Sequence, residues 1–213
     1  MTDDRAAALA FIGADSCIEA RLDTYVDLLA RWRKATNLIS ESAFSQVWTR
    51  HIADSAQLLA YAPLARRWVD LGSGAGFPGM VIAIQLAEIE GVEVHCIESD
   101  QRKCAFLRAV ARATAAPAHI HATRIEALDP TILQPVDAVT SRALAPLPRL
   151  VGLARPWLAR GAIGIFPRGR TEALSEPLSD GSEFRLEILP SKLDRDARIV
   201  RVALADREPR LAR

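Results

Sequence analysis

Residues 69–79 read VDLGSGAGFPG, an acid at Asp70 followed by Gly72, Gly74, Gly76 and Gly79. Side chains go missing at that density where a backbone must turn sharply or where another molecule comes very close. Read from Gly74 the stretch also fits GxGxxG, which alone is a weak sign of a dinucleotide site. Two ligand classes compete: the pyrophosphate of a dinucleotide, and the methionine and ribose end of S-adenosylmethionine (SAM). Asp70 repels a pyrophosphate but suits a cation, and SAM carries an α-amino group and a sulfonium. Phe77-Pro78 stands in the first turn of the next helix, where a pyrophosphate needs free backbone N–H donors. Pro78 supplies none, and Phe77 suits a thioether or an adenine better than a phosphate. The residues therefore favour SAM.

Glu98 closes a second apolar stretch, VHCIES. A carboxylate there accepts both ribose hydroxyls of an adenosine; its other use is to cap the following helix, for which Asp100 is better placed. In SAM-binding sheets the adenine lies against the loop that here reads TRIEAL, with backbone at Ile125 and Glu126 reading its edge; an ordinary ion pair of Arg124 with Glu126 accounts for the same residues. The polar pair Ser141-Arg142, in VTSRALAPLP, falls where an acceptor would meet the methyl group. Enzymes that methylate base amines carry Asn or Asp before two prolines and an aromatic at this point, and those that methylate pyrimidine carbon need a nucleophilic Cys. Neither is present. What remains is a nucleophile with no proton to lose, such as guanine N7, for which catalysis is mainly alignment. Arg142 is the one candidate catalytic residue, acting by position on a phosphate, guanine O6 or the SAM carboxylate; its alternative is an ion pair with an acid of the N-terminal segment.

These residues need a scaffold. Residues 17–34 place Leu22, Val26, Leu29 and Arg33 beside a row of Tyr25, Leu28 and Trp32, which predicts a helix with a wide apolar face. Residues 44–60 predict a second helix. From residue 67 onward strands and helices alternate: RWVDL, then a helix over 78–90, VEVHCIES, a helix over 100–115, HIHATR, VDAVTSRAL, a helix over 146–159, GAIGIFP, and finally FRLEIL and ARIVRVALA. Alternation of this kind builds a mostly parallel sheet covered on both faces, and the closing pair adds one antiparallel strand. The expected fold is α/β: a mostly parallel sheet of seven strands. Its expected division is an N-terminal helical segment over 1–62 and the sheet domain over 63–213, forming one structural unit.

Composition narrows the class further. Half of the 213 residues are hydrophobic, a quarter are charged and the net charge is +1, so any nucleic-acid surface must be local. Cys17, Cys96 and Cys104 are too scattered for a disulfide framework or a zinc pair and read as small buried hydrophobes. No metal site is expected. The apolar runs are too short to span a bilayer, and MTDDRAAALAFIG has acids where an export signal has bases, so the expected location is the cytoplasm. His51, Asp54 and Ser55 share one helix face and read as a hydrogen-bonded brace between cap and sheet.

Taken together, LLARWRKATNLIS, RHIADS, VDLGSGAGFPG, IESDQRKCAFLR, TRIEAL, TSRALAPL and FPRG make the chain resemble, along most of its length, the bacterial small-subunit ribosomal RNA guanine-N7 methyltransferases, also called glucose-inhibited division protein B. The resemblance implies a seven-strand, Rossmann-like sheet of the SAM-dependent methyltransferase type, with the helical segment 1–62 as its N-terminal cap and 63–213 as the methyltransferase domain. It also implies SAM as cofactor, contacts to it from Gly72, Phe77, Ile125, Glu126 and Arg142, and methylation of one guanine of 16S rRNA in the small subunit or its precursor. With Asp70, Gly74, Gly76 and Glu98 these form the expected cofactor site. Arg33, Lys34, Arg50 and Arg168, together with Arg170, are the candidate RNA contacts. Arg168-Gly169 replaces the Lys-Gly of many relatives, and the two cations are not interchangeable at a bidentate site. Two rivals remain: an NAD-binding oxidoreductase using the same glycines, and a SAM-binding ribosome-assembly factor without catalysis.

Overall fold

The computed structural model describes residues 2–133, 135–169 and 183–205. Arg170, one of the candidate RNA contacts, lies outside them. Seven strands form one sheet: β1 (Arg67–Leu71), β2 (Glu93–Glu98), β3 (Ala118–Ala122), β4 (Ala138–Thr140), β5 (Ile163–Arg168), β6 (Phe184–Pro190) and β7 (Arg198–Leu204). Their order is β3-β2-β1-β4-β5-β7-β6. Every pairing is parallel except those of β7, which runs antiparallel to both β5 and β6. The expected single antiparallel strand is therefore the last, inserted between its two neighbours.

The period of two in a strand sends alternate side chains to opposite faces. On β1, Trp68 goes to the face covered by α5 (Gly79–Gln85) and α6 (Gln101–Thr114), while Val69 and Leu71 go to the face covered by α7 (Leu147–Leu158). Asp70 has the parity of Trp68. The chain leaves β1 toward one face and β4 toward the other, and the two strands are neighbours. A crevice must open between the departing loops, and in open α/β sheets that is where ligands sit.

The cap packs on the α5/α6 face. It comprises α1 (Thr2–Ile12), α2 (Ser16–Thr36) and α3 (Glu41–Phe44), then an irregular helical run. Helix α2 starts at Asp15, whose side chain accepts from the N–H groups of Cys17 and Ile18, and ends at Asn37 in the left-handed region. The apolar rows read from the sequence are its buried face: Leu22, Tyr25, Val26 and Leu29 are buried, and Leu28 and Trp32 pack beside them.

The single helix expected over 44–60 is broken into a π-helix (Trp48–Ala53), a turn of α-helix α4 (Asp54–Ala56) and a 3-10 helix (Gln57–Tyr61). Asp4 of α1 accepts the backbone N–H groups of Trp48 (3.1 Å) and Thr49 (3.2 Å), donors that a regular helix would use internally. Ser55 donates its hydroxyl to the His51 carbonyl at 2.6 Å, competing again with the regular ladder. Side chains thus win over propensity here. Three other expectations also change. Strand β4 stops at Thr140 because Ser141 turns its hydroxyl to the Leu71 carbonyl (2.7 Å) and Ala143 adopts a φ of 55°. Helix α5 ends at Gln85 rather than reaching residue 90. Cys96 and Cys104 are buried as expected, but Cys17, in the first turn of α2, is exposed. No helix among the described residues is long and apolar enough to cross a membrane.

Two glycines separate packing from propensity. A Cβ on Gly79 would lie 2.6 Å from Asp70 Oδ2, whereas one on Gly152, exposed on α7, would meet nothing within 4 Å. Gly79→Ala is expected to destabilise by about 1–3 kcal/mol through overpacking, and Gly152→Ala to stabilise by about 0.5–1 kcal/mol through helix propensity. Urea unfolding midpoints of the two variants check both signs.

Candidate functional site

A cavity of about 370 Å³ opens at the C-terminal ends of β1, β2 and β4. Its walls are Gly72 and Gly74 from the glycine loop, Ile97 to Ser99 at the end of β2, Thr123 to Glu126 after β3, and Arg142 to Ala145 after β4. Lys103, Arg149 and Leu153 complete it. Its size and position fit a small-molecule site at the switch point of the sheet.

The glycines of the loop divide by what occupies the space of the missing side chain. A Cβ on Gly72 would press on Leu144 (2.7 Å), one on Gly76 on the Tyr25 hydroxyl (2.8 Å) and Met80 (2.9 Å), and one on Gly79 on Asp70. Gly74 differs: its φ is +57°, and a Cβ there would find nothing closer than the Gly72 carbonyl at 3.8 Å. Three glycines make room for the protein itself; Gly74 leaves room at the cavity.

This division separates the expected cofactor residues by where their side chains point. Asp70 is fully buried, does not line the cavity, and accepts the Gly79 N–H at 3.0 Å. Burial pushes its pKa up to about 6. Gly76 faces Tyr25 rather than the cavity. Phe77, 5% exposed, is held between Tyr25 (5.4 Å between centroids) and His51 (4.9 Å, stacked), so its ring joins sheet to cap and does not reach the cavity. The parity of β1 already sends the Asp70 side chain to the cap face, and the α5 turn follows it.

Glu98 does line the cavity. Its Oε2 accepts the Gly74 N–H at 2.9 Å and its Oε1 accepts the Asp100 N–H at 2.8 Å. Each carboxylate oxygen keeps a further lone pair for a ligand hydroxyl. Asp100 caps α6 through the N–H groups of Arg102 and Lys103, leaving Glu98 free of that task. Ile125 and Glu126 also line the cavity, on a 3-10 turn (Ile125–Ala127).

Arg142 borders the cavity, but its guanidinium is turned into the cap. Nη2 donates to His51 Nδ1 at 2.6 Å, Nη1 donates to the Arg50 carbonyl at 3.1 Å, and Asp54 Oδ2 lies 3.6 Å from Nη1. The plane sits 5.1 Å from the Phe77 centroid. An arginine cannot accept, so His51 accepts at Nδ1 and is neutral with its proton on Nε2. Burial and the neighbouring Arg142 and Arg50 push its pKa down to about 3. Burial raises the Asp54 carboxyl against the opposing pull of Arg142. Of the three residues read as a brace, His51 and Asp54 reach Arg142, while Ser55 bonds within its own helix.

The candidate RNA contacts are spread out. Arg33 pairs with Glu41 and lies over the Phe44 ring, and Lys34 and Arg50 are exposed. Arg168 is 4% exposed; its Nη2 donates to the Ala145 carbonyl at 3.1 Å, and it borders a smaller recess with Ala143, Leu144 and Pro146. Sequence reading missed Leu144 and Arg149 as wall residues. The signal for Leu144 lies in Gly72, whose missing side chain it covers, a pairing visible once β1 and β4 are known to be neighbours.

The dinucleotide reading meets a physical obstacle. A pyrophosphate needs the N–H groups at the start of α5. Those of Gly79 and Met80 are taken by Asp70 Oδ2 and by the Gly76 carbonyl (2.9 Å).

Comparison with known proteins gives a consistent picture. A family model described as "GidB: rRNA small subunit methyltransferase G" matches residues 18–176. A protein of Nitrobacter winogradskyi named ribosomal RNA small subunit methyltransferase G is 51% identical over 167 residues, 78% of this chain and 60% of its own length. The chain thus spans about three fifths of that relative. Proteins of the same name from Methylorubrum populi (47% identical, 87% of this chain, 88% of the relative) and Methylobacterium sp. strain 4-46 (46%, 94% and 95%) match over more of both chains. Among solved structures, a point mutant of MtNAS in complex with S-adenosylmethionine shares the fold at a TM-score of 0.54 and 18% identity, covering 94% of this chain and 83% of its own. An rRNA methylase from Streptococcus thermophilus does so at 0.50 and 15%, covering 73% and 97%.

The buried Asp70 carboxyl predicts a pH signature. Its pKa is about 6 in the fold against an ordinary 3.8, so the folded state holds the proton more tightly. That contribution to stability is complete below about pH 4 and is lost as pH rises through about 6. Asp70→Asn cannot titrate. Its stability relative to wild type is expected to improve steadily from about pH 4 to about pH 7, which urea titrations at several pH values measure.

Proposed function

Because this chain belongs to the GidB family of rRNA small subunit methyltransferases, we propose that it transfers a methyl group from SAM to N7 of a guanine in 16S rRNA of the small ribosomal subunit, in the cytoplasm. The observation that carries the reading is the unfilled space at Gly74 beside the Glu98 carboxylate, on the wall of the switch-point cavity. A backbone stripped of its side chain with no protein atom to receive makes room for a ligand.

The donor set fits SAM, which supplies an electrophilic methyl group on a sulfonium. Gly72 and Gly74 give the backbone approach, Glu98 accepts the ribose hydroxyls through its remaining lone pairs, and the Ile125-Glu126 turn offers backbone groups and an apolar side chain to the adenine. Lys103, Arg124 and Arg149 on the cavity wall can hold a carboxylate or a phosphate. The Ala143–Ala145 loop is shared by the cavity and the recess beside Arg168, so an acceptor base in that recess would lie next to the cofactor. Guanine N7 has its lone pair in the ring plane and no proton. The chain therefore has to align donor and acceptor and exclude water, without a general base. Lys34 and Arg50 are exposed and can reach phosphate.

Gly74→Val is expected to fold, since its side chain meets open space, while costing roughly 1–3 kcal/mol for a branched residue at positive φ. Calorimetric titration is expected to show no SAM binding. Wild-type affinity in the folded variant would remove the cavity from the cofactor. Glu98→Ala is expected to weaken SAM binding by about 1–3 kcal/mol, the range for charge-assisted hydrogen bonds.

The product decides the reaction. Small subunits lacking the modification, incubated with labelled SAM, are expected to acquire label in 16S rRNA. Borohydride followed by aniline is expected to cleave the chain at the labelled guanine, because N7-methylation makes the ring cationic and easily opened. Label without cleavage would mean a different acceptor atom. Binding of SAM with no label transferred would favour a non-catalytic assembly factor.

A further inference from the structure

The π-helix Trp48–Ala53 is a rare backbone form, found mostly where function has a use for it. It carries Arg50 on the outside and His51 on the inside. Both are tied to Arg142, Arg50 by its carbonyl and His51 by Nδ1, and Arg142 is followed directly by the Ala143–Ala145 wall of the cavity. That wall is held at its two ends, by the Ser141 hydroxyl on the Leu71 carbonyl and by Arg168 on the Ala145 carbonyl, and between them Arg142 ties it to the cap. Ala143 sits at a φ of 55°, and Leu144 leans on the bare Cα of Gly72 while remaining 38% exposed. The guanidinium of Arg142 has its acceptors in the cap: a ring nitrogen, a carbonyl and, at 3.6 Å, a carboxylate.

We propose that His51 is a positioning residue: by accepting from Arg142 while stacked on Phe77, it fixes the loop that walls the cavity, and so makes the cap part of the site's geometry. The ring does two separable jobs. Stacking on Phe77 needs a flat apolar face; holding Arg142 needs an acceptor at Nδ1. A neutral ring does both, and the depressed pKa of His51 agrees with neutrality. The Asp54 carboxylate is a poorer substitute holder, since Oδ2, the oxygen facing Arg142, stands 3.6 Å from the guanidinium, and Oδ1 is anchored by the Gln57 side chain at 2.7 Å. Without the Nδ1 acceptor, one N–H face of a buried guanidinium is unpaired, and the cheapest relief is for Arg142 to leave the cap and carry its loop with it.

The inference rests on the methyl-transfer reading for its activity arm and stands apart from it in a second arm. Three variants separate the two jobs of the ring. His51→Asn keeps an acceptor near the Nδ1 position, His51→Phe keeps the stacked ring without an acceptor, and His51→Leu keeps apolar bulk alone. Amide hydrogen exchange of residues 141–145, read with neither SAM nor RNA present, is expected to match wild type in His51→Asn. In His51→Phe and His51→Leu it is expected to be at least about tenfold faster, as loss of a bond to a charged group implies. In the activity arm, kcat/KM on unmodified small subunits is expected to fall by about the same factor in His51→Phe and His51→Leu and far less in His51→Asn, with SAM affinity following the same order. Equal damage in His51→Asn and His51→Phe would overturn the proposal, because the acceptor would then not be the operative feature. Unchanged exchange and activity in all three would overturn it as well. Should His51→Phe fail to fold, His51→Leu carries the same comparison; if neither folds while His51→Asn does, the acceptor serves stability alone and the proposal fails. A wild type that transfers no methyl group would defeat the functional reading and leave the exchange arm to judge His51.

Discussion

Beneath the glycine loop the buried carboxylate of Asp70 accepts the N–H of Gly79 at 3.0 Å, and much of the site follows from that one bond. It joins the end of β1 to the first residue of α5 across nine residues, which closes the intervening loop on itself. Closure demands glycine at 79, because the carboxylate occupies the space of a Cβ. It also uses the donor that a phosphate would seek, and places a negative group under the helix start, where the helix dipole favours it. With both ends of the loop fixed, Gly74 is left at the crest, its N–H held by Glu98 and its open side toward the cavity. One buried acid thus shapes a site whose surface it never reaches.

The cap belongs to the same construction. The Tyr25 hydroxyl donates to the Ala75 carbonyl at 2.6 Å and also fills the space that Gly76 leaves, so a residue of α2 sets the far side of the glycine loop. Phe77 is clamped between Tyr25 and His51, and Trp32 and Phe106 extend the aromatic contacts toward α6. One hydrophobic core runs from Ala8 through Leu29, Trp48 and Trp68 to Ile199. A second core, under α7, holds the opposite face of the sheet. The cavity lies where the loops above the two cores separate.

Much of this architecture was legible in the sequence, for identifiable reasons. Strands and helices with clean periods, such as RWVDL and the α2 rows, formed where expected because local pattern and burial agree. Glu98, Gly74, Ile125 and Glu126 fall on the cavity wall because they end or follow strands in a parallel sheet, and strand ends are readable. The period of β1 already carries the inward turn of Asp70, but the inward turn of Gly76 and Phe77 was not legible. The loop has two sides, and adjacency in sequence does not say which side a residue faces; that depends on a tyrosine fifty residues upstream of Ala75. The broken helix over 44–60 was illegible because Asp4, in a different helix, takes its donors. Arg142 combined both kinds of reading: it borders the cavity as a strand-end residue and is spent on the cap as an ion-paired one.

The continuous core across cap and sheet has a consequence for synthesis on the ribosome. The N-terminal helices emerge first, with Tyr25 and Leu29 already aligned on an apolar stripe. Their partners Phe106, Leu107 and Val110 come from α6, which is not complete until residue 114. At cellular elongation rates that gap lasts on the order of ten seconds. During it the stripe has only part of its cover, from Ala75, Phe77 and α5, which emerge before α6. Burial of the α2 face is thus completed only when α6 joins it, and the time taken to translate residues 37–114 sets how long that face stays partly bare.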